Sequence, residues 1–137
     1  MMQSTQLFLK DGIQLNGTTL EMLSAMPIIV NVYRAFDSDA TITSGLDGKH
    51  SSNSYHYDGD AQDYRVWDVM DTVEKVATEI RNELCRYLDY GGCFDVVVEY
   101  RNDEEGNRIP SHIHVEFDRR RYETKRHTDP GYTGGRL

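Results

Sequence analysis

The chain has 137 residues, which is enough for one domain and too few for two ordinary ones. Apolar residues make up 38% and charged residues 28%, a globular composition rather than a disordered or fibrous one. The formal net charge of -8 argues against nucleic acid as a partner, because phosphate binding needs a positive face. No apolar run has the length of a membrane span, and we expect no signal peptide because the first residues lack a basic start and an apolar run.

The N-terminal third predicts a short lead-in followed by a helix. Residues 5–15 are expected to form a short strand or an irregular segment. Asn16 or Thr18 can cap a helix that runs to about Ala35, and Pro27 either delays the start of this helix or kinks it. The apolar stripe expected to be buried consists of Leu20, Leu23, Ile28 and Val32.

The middle of the chain predicts a strand, a loop and a second helix. Residues 39–44 are short and rich in β-branched side chains, so they predict a strand. Residues 46–60 are rich in glycine, serine, asparagine and aspartate, and we expect an ordered loop there. Apolar residues then recur at helical spacing from about Arg65 to Tyr90, where two glycines end the predicted helix.

The last third predicts a β-hairpin with a wide turn around Gly106. Its strands are expected at residues 94–100 and 111–117, and side chains in each strand alternate between two faces. Glu99 on the first strand is expected to lie roughly opposite His112 on the second. The face of the second strand that carries polar side chains consists of His112, His114 and Glu116.

This order of elements predicts an α+β fold with a small antiparallel sheet and two main helices. Residues 1–120 are expected to form a single domain. Residues 121–137 are expected to form a basic, flexible tail, because their last part has no apolar period and contains three glycines.

Residues 54–63 read Ser-Tyr-His-Tyr-Asp-Gly-Asp-Ala-Gln-Asp and combine metal-ligand side chains with small residues. His56 and Asp63 lie seven positions apart, and Gly59 and Ala61 between them let the backbone pass close to a site. Imidazole and carboxylate suit a divalent zinc ion, and the histidine face of the hairpin supplies further imidazoles. Three protein ligands would leave a fourth position for water, as in catalytic zinc sites.

The same segment matches the pattern S-x-H-x-x-G-x-A-x-D at every fixed position, and it thereby resembles the M15 family of zinc peptidases. Residues 42–45 before the loop and the apolar-His-apolar segment 113–115 are similar to the flanks of that motif in the family. The resemblance covers about residues 40–118, is greatest to short phage endolysins and implies a Hedgehog/DD-peptidase-like fold. The Zn²⁺ ligands that it implies are His56, Asp63 and His114.

The chain departs from the family at the catalytic carboxylate, which many members place three residues before the last histidine ligand. Ser111 stands at that position. The best replacement is Glu99, which the hairpin would bring to the histidine face, where a carboxylate can take a proton from zinc-activated water. Glu116 is the second candidate, or it holds a histidine ligand through a hydrogen bond. His112 is the alternative to His114 as a ligand and a third candidate for the catalytic set.

A second departure concerns the residue that anchors a carboxylate of the substrate. Many relatives carry an arginine just after the Thr-Ser-Gly sequence, where this chain has Lys49, which supplies charge without a bidentate fork. Arg34 and Arg65 are alternative anchors, and Ser54 at the start of the motif is a further substrate-binding candidate. The sequence does not rank them.

The resemblance implies a zinc metallopeptidase that cleaves the stem peptide of peptidoglycan, with an L-alanyl-D-glutamate endopeptidase favoured over a D-alanyl-D-alanine carboxypeptidase. An endolysin-like protein without a signal peptide is expected in the host cytoplasm until its release to the cell wall, or on the virion. The alternative is a non-catalytic, zinc-containing cell-wall-binding or virion protein on the same fold. The missing carboxylate and the net acidity favour that alternative, since the wall is itself anionic.

Overall fold

The computed structural model describes residues 6–47, 55, 56 and 58–128. Residues 126–128 are described by their backbone alone. Its elements in chain order are β1 (Leu7–Leu9), α1 (Leu20–Ala35), β2 (Ala40–Ser44), β3 (Ala61–Arg65), a 3₁₀ segment (Trp67–Thr72), α2 (Val73–Tyr87), a second 3₁₀ segment (Gly91–Cys93), β4 (Phe94–Asn102), β5 (Arg108–Phe117) and α3 (Arg119–Thr128). Within these ranges no helix combines the length and the apolar character that crossing a membrane requires.

The five strands form one mixed sheet in the order β1-β2-β3-β5-β4. β1 and β2 run parallel because α1 carries the chain back along the sheet between them, whereas all other neighbouring pairs are antiparallel. The α+β class is confirmed, but the expectation of an antiparallel sheet is wrong at the β1 edge. β1 has only three residues, too few for a strand period to show in the sequence.

α1 and α2 pack on one face of the sheet and enclose the hydrophobic core with it. α2 is the amphipathic helix that the sequence predicts, although it begins at Val73 rather than near Arg65. The opposite face of the sheet is left for the polar residues of β5. The fully buried residues of the core include Ile29, Tyr33, Val76, Ile80, Leu84, Ile113, Val115 and Phe117.

α1 presents a different face to the core from the one predicted. The helix begins at Leu20 and continues through Pro27, so the proline does not delay its start. Leu20 and Leu23 are about half exposed, at 52% and 47%, whereas the prediction had them buried. Apolar side chains occur on most sides of this helix, so periodicity alone did not single out the inward face. The residues that it buries include Met22, Ala25, Ile29, Val30, Val32 and Tyr33.

β3 is a central strand that lies between the predicted loop, which ends at residue 60, and the predicted helix, which begins at about Arg65. Its first four residues are buried, including the polar Gln62 and Asp63. Tyr64 donates a hydrogen bond of 2.8 Å to the side-chain oxygen of Gln62, which satisfies both polar groups in the core. The strand was missed because two polar residues occupy buried positions, which removes the alternation on which strand prediction depends.

α3 replaces the first part of the predicted tail. The predicted boundary at residue 120 falls inside this helix, and Tyr122 is only 2% exposed. The Tyr122 ring packs against Phe117 and Tyr90, with ring centroids 5.2 Å and 6.1 Å apart. The folded unit therefore extends at least to Tyr122, and residues 129–137 lie outside the described residues.

Candidate metal centre

Three side chains from two separate stretches of the chain meet on the polar face of the sheet. Asp63 on β3 pairs directly with His114 on β5, and side chains that face each other across an antiparallel pair point to the same side. His56 lies in the turn before β3 and faces the same carboxylate. The structure thus brings together the three residues that the sequence motif proposed, with ligand atoms all within 4.8 Å of one another.

The Asp63 carboxylate is the centre of this group. Its Oδ1 atom lies 2.8 Å from His114 Nδ1 and 3.4 Å from His56 Nε2. Two ligand atoms on a tetrahedral zinc ion are expected about 3.3 Å apart, because zinc bonds to nitrogen and oxygen are about 2.0 Å long. The distance from Asp63 to His56 fits two ligands of one small cation, whereas the distance to His114 is that of a hydrogen bond, whose proton a bound cation would replace. Nitrogen and carboxylate donors are a usual set for zinc.

Burial gives this group the desolvated setting of a metal site. His56 is 3% exposed and Asp63 is 7% exposed, while the His114 side chain keeps 16% of its surface in contact with solvent. The group is therefore closed on the His56 side and open at His114 and Glu116, whose side chain is 25% exposed. A site that is open on one side can admit a water molecule or a substrate group.

A backbone contact sets the orientation of the His56 ring. The Gly45 carbonyl oxygen lies 2.8 Å from His56 Nδ1, so Nδ1–H donates to it and the lone pair is on Nε2, the nitrogen that faces Asp63. Asp47 holds this part of the chain, because its Oδ1 accepts hydrogen bonds from the backbone N–H groups of Gly45 and Gln14. A side chain at position 45 would meet the Gln14 carbonyl at 2.5 Å, so glycine is required there.

Glu116 supports His114 from the side away from Asp63. Its Oε1 lies 2.7 Å from His114 Nε2, and a carboxylate on the outer nitrogen of a ligand histidine is a common supporting contact in metal sites. Of the two sequence interpretations of Glu116, the structure shows the contact that holds a histidine. Asp95 on β4 lies directly opposite Glu116 in the β4–β5 pair.

The pKa values of the central pair shift in opposite directions. Burial acts to raise the pKa of Asp63, but the hydrogen bond from His114 and the nearby rings of His56 and His112 outweigh it, so this pKa lies well below its usual range. Burial acts to lower the pKa of His114, but hydrogen bonds to Asp63 and Glu116 outweigh it and raise this pKa. The lowered pKa keeps Asp63 ionised, as a carboxylate that binds a cation must be.

His112 lies at the edge of the group rather than within it. Its Nε2 is 3.5 Å from Asp63 Oδ1, and it is not among the described residues whose ligand atoms all lie within 4.8 Å of one another. The predicted hairpin register is confirmed, because Glu99 pairs with His112. Glu99 is exposed, and its place opposite His112 puts it on the face of the sheet that carries the group.

A β-bulge in β5 explains the contact between Ser111 and its neighbour. The pairing with β4 moves from Glu99–His112 to Tyr100–Pro110, so Ser111 is the extra residue of the bulge. Its hydroxyl lies 3.0 Å from His112 Nδ1. Ser111, three residues before His114, thus carries a hydroxyl that hydrogen bonds to His112.

Arg65 is the one substrate-anchor candidate that the described residues place beside the group, because it pairs with His112 from the other neighbouring strand. Its guanidinium lies over the ring of Trp67, 3.7 Å from the ring centre, and Trp67 is 69% exposed. Arg34 instead lies 3.9 Å from Asp39, at the end of α1. Lys49 and Ser54 lie outside the described residues.

The turn that carries His56 is fastened to α1 through Gly59. The Gly59 carbonyl accepts a hydrogen bond of 3.1 Å from the backbone of Thr19, and the Gly59 N–H donates to the His56 carbonyl at the same distance. Gly59 has a φ of +76°, and a Cβ at this position would collide with the Gly17 carbonyl oxygen. Only glycine fits both demands.

Gly59→Ala is expected to lower the free energy of unfolding by about 3 kcal/mol, because backbone strain at positive φ alone costs about 1–3 kcal/mol and a steric clash is added to it. Urea unfolding followed by circular dichroism measures this loss. Gly106→Ala is the matched control, since Gly106 has a φ of +83° but no atom lies within 4 Å of the place that a Cβ would occupy. Equal losses in the two variants would show that the contact with Gly17 has no energetic importance.

The chain was compared with protein-family models, curated proteins and solved structures. No protein-family model, no curated protein and no solved structure matches the chain.

Proposed function

We propose that this chain is a zinc-dependent peptidase that hydrolyses the stem peptide of peptidoglycan, with a Hedgehog/DD-peptidase-like fold of the M15 type. The observation that carries the proposal is the meeting of His56, Asp63 and His114 on one open face of the sheet. The motif resemblance names the same three residues. By that resemblance to phage endolysins, an L-alanyl-D-glutamate endopeptidase is favoured over a D-alanyl-D-alanine carboxypeptidase.

The three ligands would hold Zn²⁺ through His56 Nε2, an oxygen of Asp63 and His114 Nδ1. When bound, zinc supplies Lewis acidity, which polarises a carbonyl group and lowers the pKa of water to about 7. Asp63 neutralises part of the added charge, and the Gly45 carbonyl and the Glu116 carboxylate hold the two imidazoles in the required orientation.

Glu99 is the residue proposed to move the proton in this reaction. Its exposure keeps its carboxylate accessible to solvent and substrate, and its register opposite His112 places it on the correct face. A carboxylate there can take a proton from the attacking water and give it to the leaving amine. Glu116 is less suited to this role because its carboxylate is already bonded to His114.

Arg65 is proposed to bind a carboxylate of the peptide. It lies next to His112 across the β3–β5 pair, and Trp67 holds its guanidinium plane by stacking. A guanidinium held in one orientation binds a carboxylate through two parallel hydrogen bonds at a smaller cost in side-chain entropy. Lys49 and Ser54 remain sequence-based candidates for the same substrate.

One observation favours the rival proposal, a zinc-containing cell-wall-binding or virion protein without catalytic activity. Ser111 occupies the family's usual carboxylate position and is bonded to His112, so the proton-transfer group of the family is missing from its usual place. Under either proposal the chain acts at the cell wall, after release from the host cytoplasm or as part of the virion.

Incubation with purified peptidoglycan distinguishes the two proposals. We expect new amino groups to appear, to be abolished by a chelator and to return on addition of zinc, because water activation depends on the ion. Mass spectrometry of the released fragments identifies the bond that is cut. A protein that holds one zinc ion per chain and releases no amino groups would support the non-catalytic proposal instead.

A further inference from the structure

Arg119, the first residue of α3, joins three parts of the chain next to the turn that carries His56. Its Nε lies 3.1 Å from Asp60 Oδ2 and its Nη2 lies 2.8 Å from Asp60 Oδ1, a bidentate pair. The same Nη2 also donates to Glu21 on α1. One guanidinium thus binds two carboxylates from different elements.

Both carboxylates are removed from water. The Asp60 side chain is 3% exposed and that of Glu21 is 12% exposed. Two buried negative charges this close to a shared partner would repel each other and lose hydration if the guanidinium were absent. The residue best able to relieve that cost by moving is Asp60, because it lies outside the helices and strands, whereas Glu21 lies in the first turn of α1.

Asp60 also closes the turn around His56 through its backbone. Its N–H donates to the Tyr55 carbonyl at 2.9 Å, and its carbonyl accepts from the Phe117 N–H at 2.8 Å. A displacement of Asp60 would therefore shift His56 on one side and the start of β3, with Asp63, on the other. Two of the three proposed ligands, His56 and Asp63, lie within four residues of Asp60, one on each side.

We propose that Arg119 is a positioning residue for the metal centre, which fixes the His56 turn against β3 by holding Asp60 and Glu21 together. Docking of α3 and metal affinity are then coupled, so the C-terminal helix belongs to the functional site. This inference depends on the proposed zinc centre but not on catalytic activity.

The test measures zinc affinity, with zinc alone as the probe, by competition with a chromophoric chelator on the full chain. We expect Arg119→Gln to weaken zinc binding at least tenfold, in the range of losses for residues that orient metal ligands. Arg119→Lys should fall between this variant and the wild type, because it keeps the charge and loses the fork. Arg121→Gln is the matched control on the same helix, since Arg121 pairs with Asp95 in an exposed position, and its zinc affinity should remain within twofold of the wild type.

A second comparison separates positioning from general stability. Val76→Ala removes core volume in α2, where Val76 is fully buried, and lowers the melting temperature without touching the turn. At a temperature where both variants are folded, we expect Arg119→Gln but not Val76→Ala to alter zinc affinity and the visible spectrum of the cobalt-substituted protein. Asp60→Asn combined with Arg119→Gln should weaken binding by less than the product of the two single effects.

The proposal is overturned if folded Arg119→Gln binds zinc within twofold of the wild type, or no more weakly than Val76→Ala. If Arg119→Gln does not fold, Arg119→Lys decides the question, and wild-type affinity in that variant overturns the proposal. A wild-type chain that binds no zinc rejects both this proposal and the zinc peptidase. Zinc binding without peptidoglycan cleavage rejects only the peptidase and leaves the role of Arg119 standing.

Discussion

His114→Ala is expected to abolish stoichiometric zinc binding, whereas His112→Ala is expected to retain it. The two histidines lie on one face of β5. His114 Nδ1 is 2.8 Å from the Asp63 carboxylate, and His114 belongs to the group of three candidate ligands. His112 Nε2 is 3.5 Å from the same carboxylate, and His112 lies at the edge of that group. Loss of a residue that only supports a ligand already costs about 10- to 100-fold in metal affinity, so loss of a ligand should cost at least about 100-fold.

Metal analysis after gel filtration and titration with a chromophoric chelator measure both variants. Because the two substitutions are identical and lie on the same strand, general effects on folding are matched. His56→Ala should behave as His114→Ala does. Retention of zinc by His114→Ala together with its loss in His112→Ala would assign the third ligand to His112 and correct the proposed set.

Glu99→Gln is expected to cut the turnover of peptidoglycan by about 100-fold or more while zinc content stays unchanged, since general acid–base groups contribute about 10²–10⁴-fold. Glutamine keeps the size and polarity of the side chain and cannot accept the proton. Glu99 is exposed on β4, so the substitution should leave the fold intact. The rate of amino-group release under saturating peptidoglycan measures the loss.

Two further glutamate variants make this result specific. Glu105→Gln at the exposed tip of the hairpin is the matched control and should have wild-type turnover. Glu116→Gln should weaken zinc binding by about 10- to 100-fold, because Glu116 holds His114. Unchanged turnover in Glu99→Gln would remove Glu99 from the mechanism and leave Glu116 or His112 as the proton-transfer group.

The local signals in the sequence were sufficient wherever one segment carried the whole pattern. The resemblance of the motif and its flanks to a known family named His56, Asp63 and His114, three residues that the structure brings together. The hairpin register followed from the position of the turn, so Glu99 was placed opposite His112 correctly. These features depend on a strand period of two and on the position of the turn, both of which are local properties of the chain.

The signals failed where burial depends on distant parts of the chain. β3 was not predicted because Gln62 and Asp63 are polar and yet buried. A hydrogen bond from Tyr64 satisfies Gln62, and three histidines surround Asp63. The parallel pairing of β1 follows from the path of α1 rather than from its own three residues. The inward face of α1 is likewise set by α2 and the sheet, which pack against this helix.

By itself, the sequence determined the types and the spacing of the candidate metal-binding residues and the strand that carries the third one. The tertiary structure alone decided how those ligands are held. The Gly45 carbonyl sets the tautomer of His56, and Arg119 binds both Asp60, 59 positions away in the sequence, and Glu21, 98 positions away. No local pattern could reveal these contacts, because each depends on the placement of two or three elements relative to one another, and only the packed fold fixes that placement.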